Sequence, residues 1–194
     1  MNFINRHDLA APLMAVEGWN IEQSVWQYNR EVYNPETREW LPGEDSKSQQ
    51  PTDWDLVNDF KDDHLNISEN QESGLVTLSV RSLSPKAAQQ WAEWLVQDIN
   101  ENMRQEDVAS AEARIAYLEG KLNEINVAGM QQVFYQLIEQ EARTVMLANA
   151  QKEYVFKAID PAVVSQEKSE PKRVLIITVV NMFGGILGVF IAFG

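Results

Sequence analysis

Apolar residues follow two different periods in the middle of the chain. In Leu65–Arg81 they take every second position on both sides of the Asn70–Gly74 turn, which predicts a β-hairpin with one apolar and one polar face. After Ser84 and Pro85, a good helix-capping pair, the spacing becomes helical. A long helix is therefore predicted from Pro85 to Ile125, about 60 Å at 1.5 Å per residue.

The second half of this predicted helix carries a heptad seam. Its apolar residues recur with 3-4-3-4-3 spacing, the pattern of a helix that packs lengthwise against another helix. The seam residues are Val108, Ala111, Ile115, Leu118, Leu122 and Ile125. The partner is expected to be either the helix that follows Gly129 or a neighbouring protomer.

Further elements are predicted on both sides. A short helix is expected over residues 6–17, a hairpin over 31–41, and a helix over 53–64 that Thr52 caps. A second long helix is expected from about residue 129 to 152, with Val133, Leu137, Ile138, Val145 and Met146 on its apolar side. Residues 154–159 are expected to form a returning strand.

The chain ends in an apolar run without charged side chains, VLIITVVNMFGGILGVFIAF, at residues 174–193. About 20 apolar residues cross the hydrocarbon core of a bilayer, so this run predicts a transmembrane helix. Gly184 and Gly188 form a G-x-x-x-G motif with Gly185 beside them, a pattern that lets two membrane helices approach closely. Pro161 and Pro171 bound a polar stretch that predicts an extended linker into the membrane.

Composition excludes several functions. The net charge of −13, from 16 Lys+Arg and 29 Asp+Glu, lies entirely before residue 174 and argues against nucleic-acid binding. With no cysteine, the chain has no disulfide, thiolate metal site or cysteine nucleophile. His7, Asp62, Asp63 and His64 are interpreted as surface groups rather than ligands or catalysts. No catalytic residue, metal or cofactor is predicted, and the chain is not expected to be an enzyme.

All six tryptophans precede residue 100. Their faces could stack on sugar rings, which would make a glycan platform. We favour the alternative, in which they fill the core between the sheet and the foot of the long helix.

The order of these features resembles that of the Wzz-type chain-length determinants, the polysaccharide co-polymerases of bacteria. The resemblance runs through HDLAAPLMA, the Trp-rich stretch ending in REWLP, SGLVTLSVRSLSPKAAQQWAEWLVQDIN, QVFYQLIEQEARTVMLA, and EYVFKAIDPAVV with EKSEPKR before the span. By position, residues 161–171 correspond to the family's proline-rich approach to its second span. Gly184, Gly185 and Gly188 correspond to the glycine segment of that span.

The resemblance implies an inner-membrane protein with a large periplasmic domain and an α+β fold. A small membrane-proximal sheet with helices would carry a long projecting helix and a second helix, followed by the C-terminal transmembrane helix. Protomers would assemble into a ring-like homo-oligomer that sets the modal length of a lipid-linked polysaccharide made by an O-antigen-type polymerase. The expected division is residues 1–160 as the periplasmic domain, 161–173 as the linker and 174–193 as the span.

The family's first span has no counterpart in this sequence, so we expect one upstream of Met1 and take the chain to be a fragment or to have a misplaced start. Two alternatives stay open. One is an export co-polymerase that works with a tyrosine kinase. The other is a tail-anchored, cytosolic coiled-coil adaptor, which the basic pair Lys172 and Arg173 before the span weakly favours.

Overall fold

A computed structural model of the chain describes residues 2–43, 47–125, 127–151 and 153–164. The described residues up to Val163 form one compact unit. Its elements in order are α1 (Asn2–Arg6), α2 (Ala10–Met14), β1 (Val16–Asn20), β2 (Val25–Tyr28), β3 (Tyr33–Asn34), β4 (Glu39–Trp40), α3 (Asp53–Asp59), β5 (Leu65–Asn70), β6 (Leu75–Val80), α4 (Pro85–Leu122) and α5 (Ala128–Ala150). A π-helical turn, Phe60–His64, joins α3 to β5. The fold is α+β with a long helix and a second helix, as predicted.

Elements with strong local signals form where the sequence predicts them. Thr52 and Asp55 make a reciprocal capping box at the start of α3. In the β5–β6 turn the side-chain oxygen of Asn70 accepts hydrogen bonds from the backbone of Glu72 and Ser73, and Gly74 takes a positive φ of 67°. The hydroxyl of Ser84 accepts a hydrogen bond from the backbone N–H of Ala87 at the start of α4.

The prediction of one helix over residues 6–17 is wrong. Asp8 takes a left-handed φ of 52°, which separates α1 from α2. From Val16 the chain is extended and pairs antiparallel with β2. The turn before β2 is held by Asn20, whose side-chain oxygen accepts a hydrogen bond from the backbone N–H of Gln23 at 2.9 Å. Strand pairing over residues 16–20 therefore replaces the last part of the expected helix.

The strands pair two by two rather than as one small sheet. In the described residues β1 pairs with β2, β3 with β4, and β5 with β6, each pair antiparallel. An isolated two-stranded ladder is marginal in water, so each pair depends on what packs against it. The predicted 31–41 hairpin is present as the short β3–β4 pair, where Tyr33 faces Trp40.

One hydrophobic core connects the β1–β2 and β5–β6 hairpins to the foot of α4. Its buried members are Ile4, Leu9, Leu13, Leu56, Phe60 and Trp91, and Trp26, Leu65, Val80, Trp94 and Leu95 pack around them. A second, smaller cluster combines Ala11, Ala15 and Tyr33 with Tyr28 and Trp40. We call α1–α3, β1–β6 and α4 up to Asn100 the base, and α4 from Asp107 together with α5 the arm.

The arm is a helical hairpin. α5 packs antiparallel along the second half of α4, and residues 123–127 make the connection. Gln131 at the start of α5 donates a hydrogen bond from its side chain to the backbone oxygen of Ile125 at 2.8 Å. This contact fixes the hairpin at its tip.

The prediction of a strand over residues 154–159 is wrong, because these residues pair with no strand in the described part of the chain. The segment follows α4 instead, held by side chains of that helix. Within the described residues no helix is long and apolar enough to cross a membrane. The predicted span at residues 174–193 lies outside them.

Candidate functional site

The predicted seam lies on the least exposed face of the arm half of α4. Ala111 is fully buried, and the other five seam residues, Val108, Ile115, Leu118, Leu122 and Ile125, are half-buried. An ion pair between Arg114 and Glu141, at 2.9 Å, sets the register of the two helices. Ala111 and Ala148 are both 0% exposed, so small side chains fill the closest part of the interface. Packing against neighbouring protomers stays a prediction.

The segment after α5 runs back along α4 toward the base. The hydroxyl of Tyr154 donates to the Asp107 carboxylate at 2.8 Å, and the side-chain amide of Gln89 donates to the backbone oxygen of Ala162 at 2.9 Å. From Asp107 back to Gln89 the helix covers about 27 Å at 1.5 Å per residue. The eight residue-to-residue steps from Tyr154 to Ala162 reach at most about 26 Å, at 3.3 Å each. The segment is therefore a strap that runs antiparallel to α4, with bends at residues 153–155 and 159–160.

Asn100, a residue of α4, holds this strap in place. Its side chain is buried and makes three hydrogen bonds to the strap backbone: it accepts from Val155 N at 2.9 Å and Phe156 N at 2.8 Å, and donates to Phe156 O at 2.8 Å. The two bonds to Phe156 satisfy both of its backbone groups, as a paired strand would, and the third satisfies the N–H of Val155. The strap thus needs no partner strand.

Sequence reasoning missed the polar side chains on the inner faces of α4. Asp98 is one of them: it is buried, and it lies seven residues after Trp91 and four after Trp94. A carboxylate at that spacing on an apolar stripe is the signal that could have identified it.

Asp98 ties α1 to α4. Its carboxylate accepts from the Arg6 guanidinium at 2.7 Å and lies 3.2 Å from the Nε2 atom of His7. The His7 ring stacks on Trp94 with centroids 4.2 Å apart. His7 is therefore a half-buried structural residue, and the interpretation of this position as a surface group is wrong.

The interpretation of His64 as a surface group is wrong as well. Its Nδ1 atom lies 2.7 Å from the backbone oxygen of Arg81, and its Nε2 atom lies 3.4 Å from the Asp59 carboxylate. Burial raises the pKa of Asp59; the neighbouring His64 lowers it, and Asp63 raises it. Asp62 and Asp63 are exposed, as predicted. In the described residues no group of three or more His, Asp or Glu side chains is placed to hold a metal ion.

The tryptophans are divided between the core and the surface. Trp91 is buried, Trp26 and Trp94 pack around it, and Trp19 meets Trp26 edge-on at 4.9 Å. Trp40 packs on Tyr33 in the second cluster. The core interpretation is confirmed for Trp26, Trp91 and Trp94, while Trp19 and Trp40 are half-buried outside that core. It is wrong for Trp54, which is 73% exposed. Most of the aromatic faces that could have stacked on sugar rings pack against other aromatic rings instead.

The predicted membrane site cannot be placed in the fold, since Gly184, Gly185, Gly188 and Pro171 lie outside the described residues. Pro161 is described, and it is exposed at the end of the strap next to Ala162. The strap therefore ends at the foot of α4, in the base.

Residues 124–194 match the model of a protein family described as "G-rich domain on putative tyrosine kinase". This domain is a feature of polysaccharide co-polymerases and chain-length determinants. The match fits the Wzz-type resemblance. It covers α5, the strap and the glycine-containing apolar run, three of the features on which the resemblance depends. Among curated proteins, no sequence matches this chain.

Proposed function

We propose that this chain regulates the modal length of a bacterial surface polysaccharide, as an inner-membrane co-polymerase that acts with an O-antigen-type polymerase. The observation that carries the proposal is the family match over residues 124–194, which includes α5, the strap and the predicted span. The proposed protein assembles as a homo-oligomer, contacts the lipid-linked polymer and carries out no chemistry itself.

The course of the strap supports a periplasmic domain held at one end. Phe3 and Ile4 pack in the base core, and Ala162 is bonded to Gln89 at the foot of α4. Chain leaving either end of residues 3–162 therefore starts from the base.

A second candidate function, export together with a tyrosine kinase, is favoured by the description of the matched family. The two candidates differ in what is lost without the protein. For a length regulator, a strain that lacks the gene still makes surface polymer, but its gel pattern loses the preferred length. If surface polymer were absent or strongly reduced while its length distribution was unchanged, the export function would replace the length function.

Topology can be tested with a single cysteine, because the chain has none of its own. At Gly120 an added Cβ meets no atom within 4 Å, so Gly120→Cys fits the fold. In intact cells whose outer membrane is permeable, a membrane-impermeant maleimide should label this position. Labelling that required disruption of the inner membrane would support the cytosolic adaptor and contradict the proposal.

Asp62 and Asp63 test whether a hidden active site exists. Both are exposed and belong to the π-helical turn before β5. Replacing both by alanine should leave chain-length control unchanged, since exposed substitutions usually shift stability by about 0.5 kcal/mol or less. A folded double variant that made no polymer would reopen the case for an enzyme.

A further inference from the structure

The helix α5 carries two heptad seams side by side. The first faces α4 and is buried or half-buried: Gln131, Phe134, Ile138, Glu141, Val145 and Ala148. The second is displaced by one residue, has the same 3-4-3-4-3 spacing, and is exposed except at the half-buried Thr144: Met130, Val133, Leu137, Gln140, Thr144 and Leu147. We call this second set the outer seam. A helix in a two-helix hairpin needs one seam, whereas a helix between two neighbours needs two.

The outer seam is apolar enough to need a cover. Val133 is 52% exposed and Leu137 is 43% exposed, although both are large aliphatic side chains in the middle of the helix. The seam spans about 26 Å at 1.5 Å per residue, so its contact is lengthwise rather than a single point. Contiguous exposed apolar surface of this kind marks an interaction site.

Charge indicates what can cover it. The protein carries a net charge of −13, so two copies repel each other over most of their surfaces. The outer seam has no charged residue. The three charged residues of α5 lie off this seam and are paired within the chain: Glu139 with Arg143 at 2.7 Å, and Glu141 with Arg114 at 2.9 Å. Two acidic copies can approach along this strip without burying an unpaired charge.

The opposite flank of α5 provides a contrast. Tyr135, 57% exposed, and Met146 are also apolar, but the Glu139–Arg143 pair lies between them on that side. A neighbour on that flank would have to desolvate this ion pair, which is costly. Exposed apolar side chains alone therefore do not identify an interface. The outer seam differs from the opposite flank because it combines heptad spacing with the absence of charged residues.

We propose that the outer seam of α5 packs lengthwise against the arm of a second copy of this chain. This deepens the proposed function, on whose homo-oligomer it rests, by naming the surface that joins the copies. Gln140 and Thr144 place polar groups within an otherwise aliphatic seam, where they can hydrogen-bond across the interface and fix its register.

Cysteine cross-linking in membranes tests the proposal with the full chain. Leu137→Cys places a thiol on the outer seam, and Tyr135→Cys places a matched one on the opposite flank. After each thiol is labelled with a maleimide-benzophenone and irradiated, the first variant should give a product of twice the chain mass, at least about fivefold more than the second, because the photoreactive group joins any surface of the neighbouring copy that faces it. Equal cross-linking of the two variants, or a product of another mass that showed a different protein on the seam, would overturn the proposal.

A second measurement separates this inference from the proposed function. In mild detergent, Leu137→Asp should lower the mass of the purified particle, while Tyr135→Asp should leave it unchanged. Both variants should keep the helix content of the wild type by circular dichroism, which shows that they are folded. If the wild type is an oligomer whose mass Leu137→Asp does not change, the outer seam is the wrong surface and the assembly survives. If the wild type is itself a monomer that does not cross-link, both proposals fail.

Discussion

The base and the arm of this protein are held together by different means. The base buries large side chains, including Leu56, Phe60 and Trp91, in one core that several short elements share. In the arm, the fully buried side chains are two alanines, Ala111 and Ala148, and much of the apolar surface of α5 faces outward. The base also exposes apolar side chains, among them Ile67 and Val76, but it has a shared core of large side chains that the arm lacks. The arm leaves one of its three seams uncovered, and such apolar surface is stabilised when a neighbour covers it. The base is thus the region with its own core, and the arm carries the surface through which we propose that copies assemble.

The largest effect is expected in the base. Trp91→Ala should lower the free energy of unfolding by about 3 to 5 kcal/mol, because it leaves a cavity among packed side chains. Trp54→Ala is the matched control: this tryptophan is exposed, and its loss should cost about 0.5 kcal/mol or less. Urea unfolding followed by circular dichroism measures both. Similar costs for the two variants would mean that the base has no dominant core.

A smaller and local effect is expected where the strap crosses α4. Asn100→Ala leaves two backbone N–H groups and one carbonyl of the strap without their partner, which should cost about 1 to 3 kcal/mol. Because these groups belong to the strap, trypsin should cut faster after the exposed Lys157. Asn149→Ala, at an exposed position of α5, is the control. An unchanged cleavage rate in Asn100→Ala would show that the strap is held by other contacts.

The smallest effect concerns pH. Burial raises the pKa of Asp59, so its protonated form is favoured in the folded state. The stability that this carboxyl contributes is full below its unfolded pKa of about 3.9 and is lost as pH rises through the higher folded pKa. Asp59→Asn stays neutral and should gain stability relative to the wild type as pH rises through these two pKa values, by about 0.5 kcal/mol since the carboxyl is only half-buried.

Thermal unfolding across this pH range measures the difference between the two proteins. Asp62→Asn, at an exposed position, is the control and should follow the wild type. If Asp59→Asn ran parallel to the wild type at every pH, the buried carboxyl would contribute nothing to the pH dependence of the base.

Elements that are held by contacts between residues close in the sequence could be predicted, while those held by distant contacts could not. Thr52 caps α3 and Ser84 caps α4, and Asn70 holds the turn of the β5–β6 hairpin. Each of these side chains accepts a hydrogen bond from the backbone N–H three residues later. The β1–β2 hairpin was missed because its turn at residues 21–24 has neither glycine nor proline and depends on Asn20. The two strands also pair with each other, and this pairing outweighs the helical propensity of the sequence.

The candidate site shows the same division. The α4 seam follows heptad spacing, which is a local pattern, and five of its six residues lie on the less exposed face of α4; Ile125 lies just beyond the end of that helix. The strap was predicted as a strand because residues 154–159 have strand-like composition. Its real partner is Asn100, more than 50 residues away, and no local pattern indicates that contact. His7 and Asp98 are likewise joined across 91 residues.

The central claim is that assembly through the arm, rather than chemistry in the base, sets polymer length. The most direct test is a polysaccharide gel of a strain lacking the gene, complemented with the wild type, Leu137→Asp or Tyr135→Asp at equal membrane levels. We predict that the wild type and Tyr135→Asp restore the preferred length, while Leu137→Asp allows polymer synthesis without it. A Leu137→Asp strain with the wild-type length distribution would contradict the account.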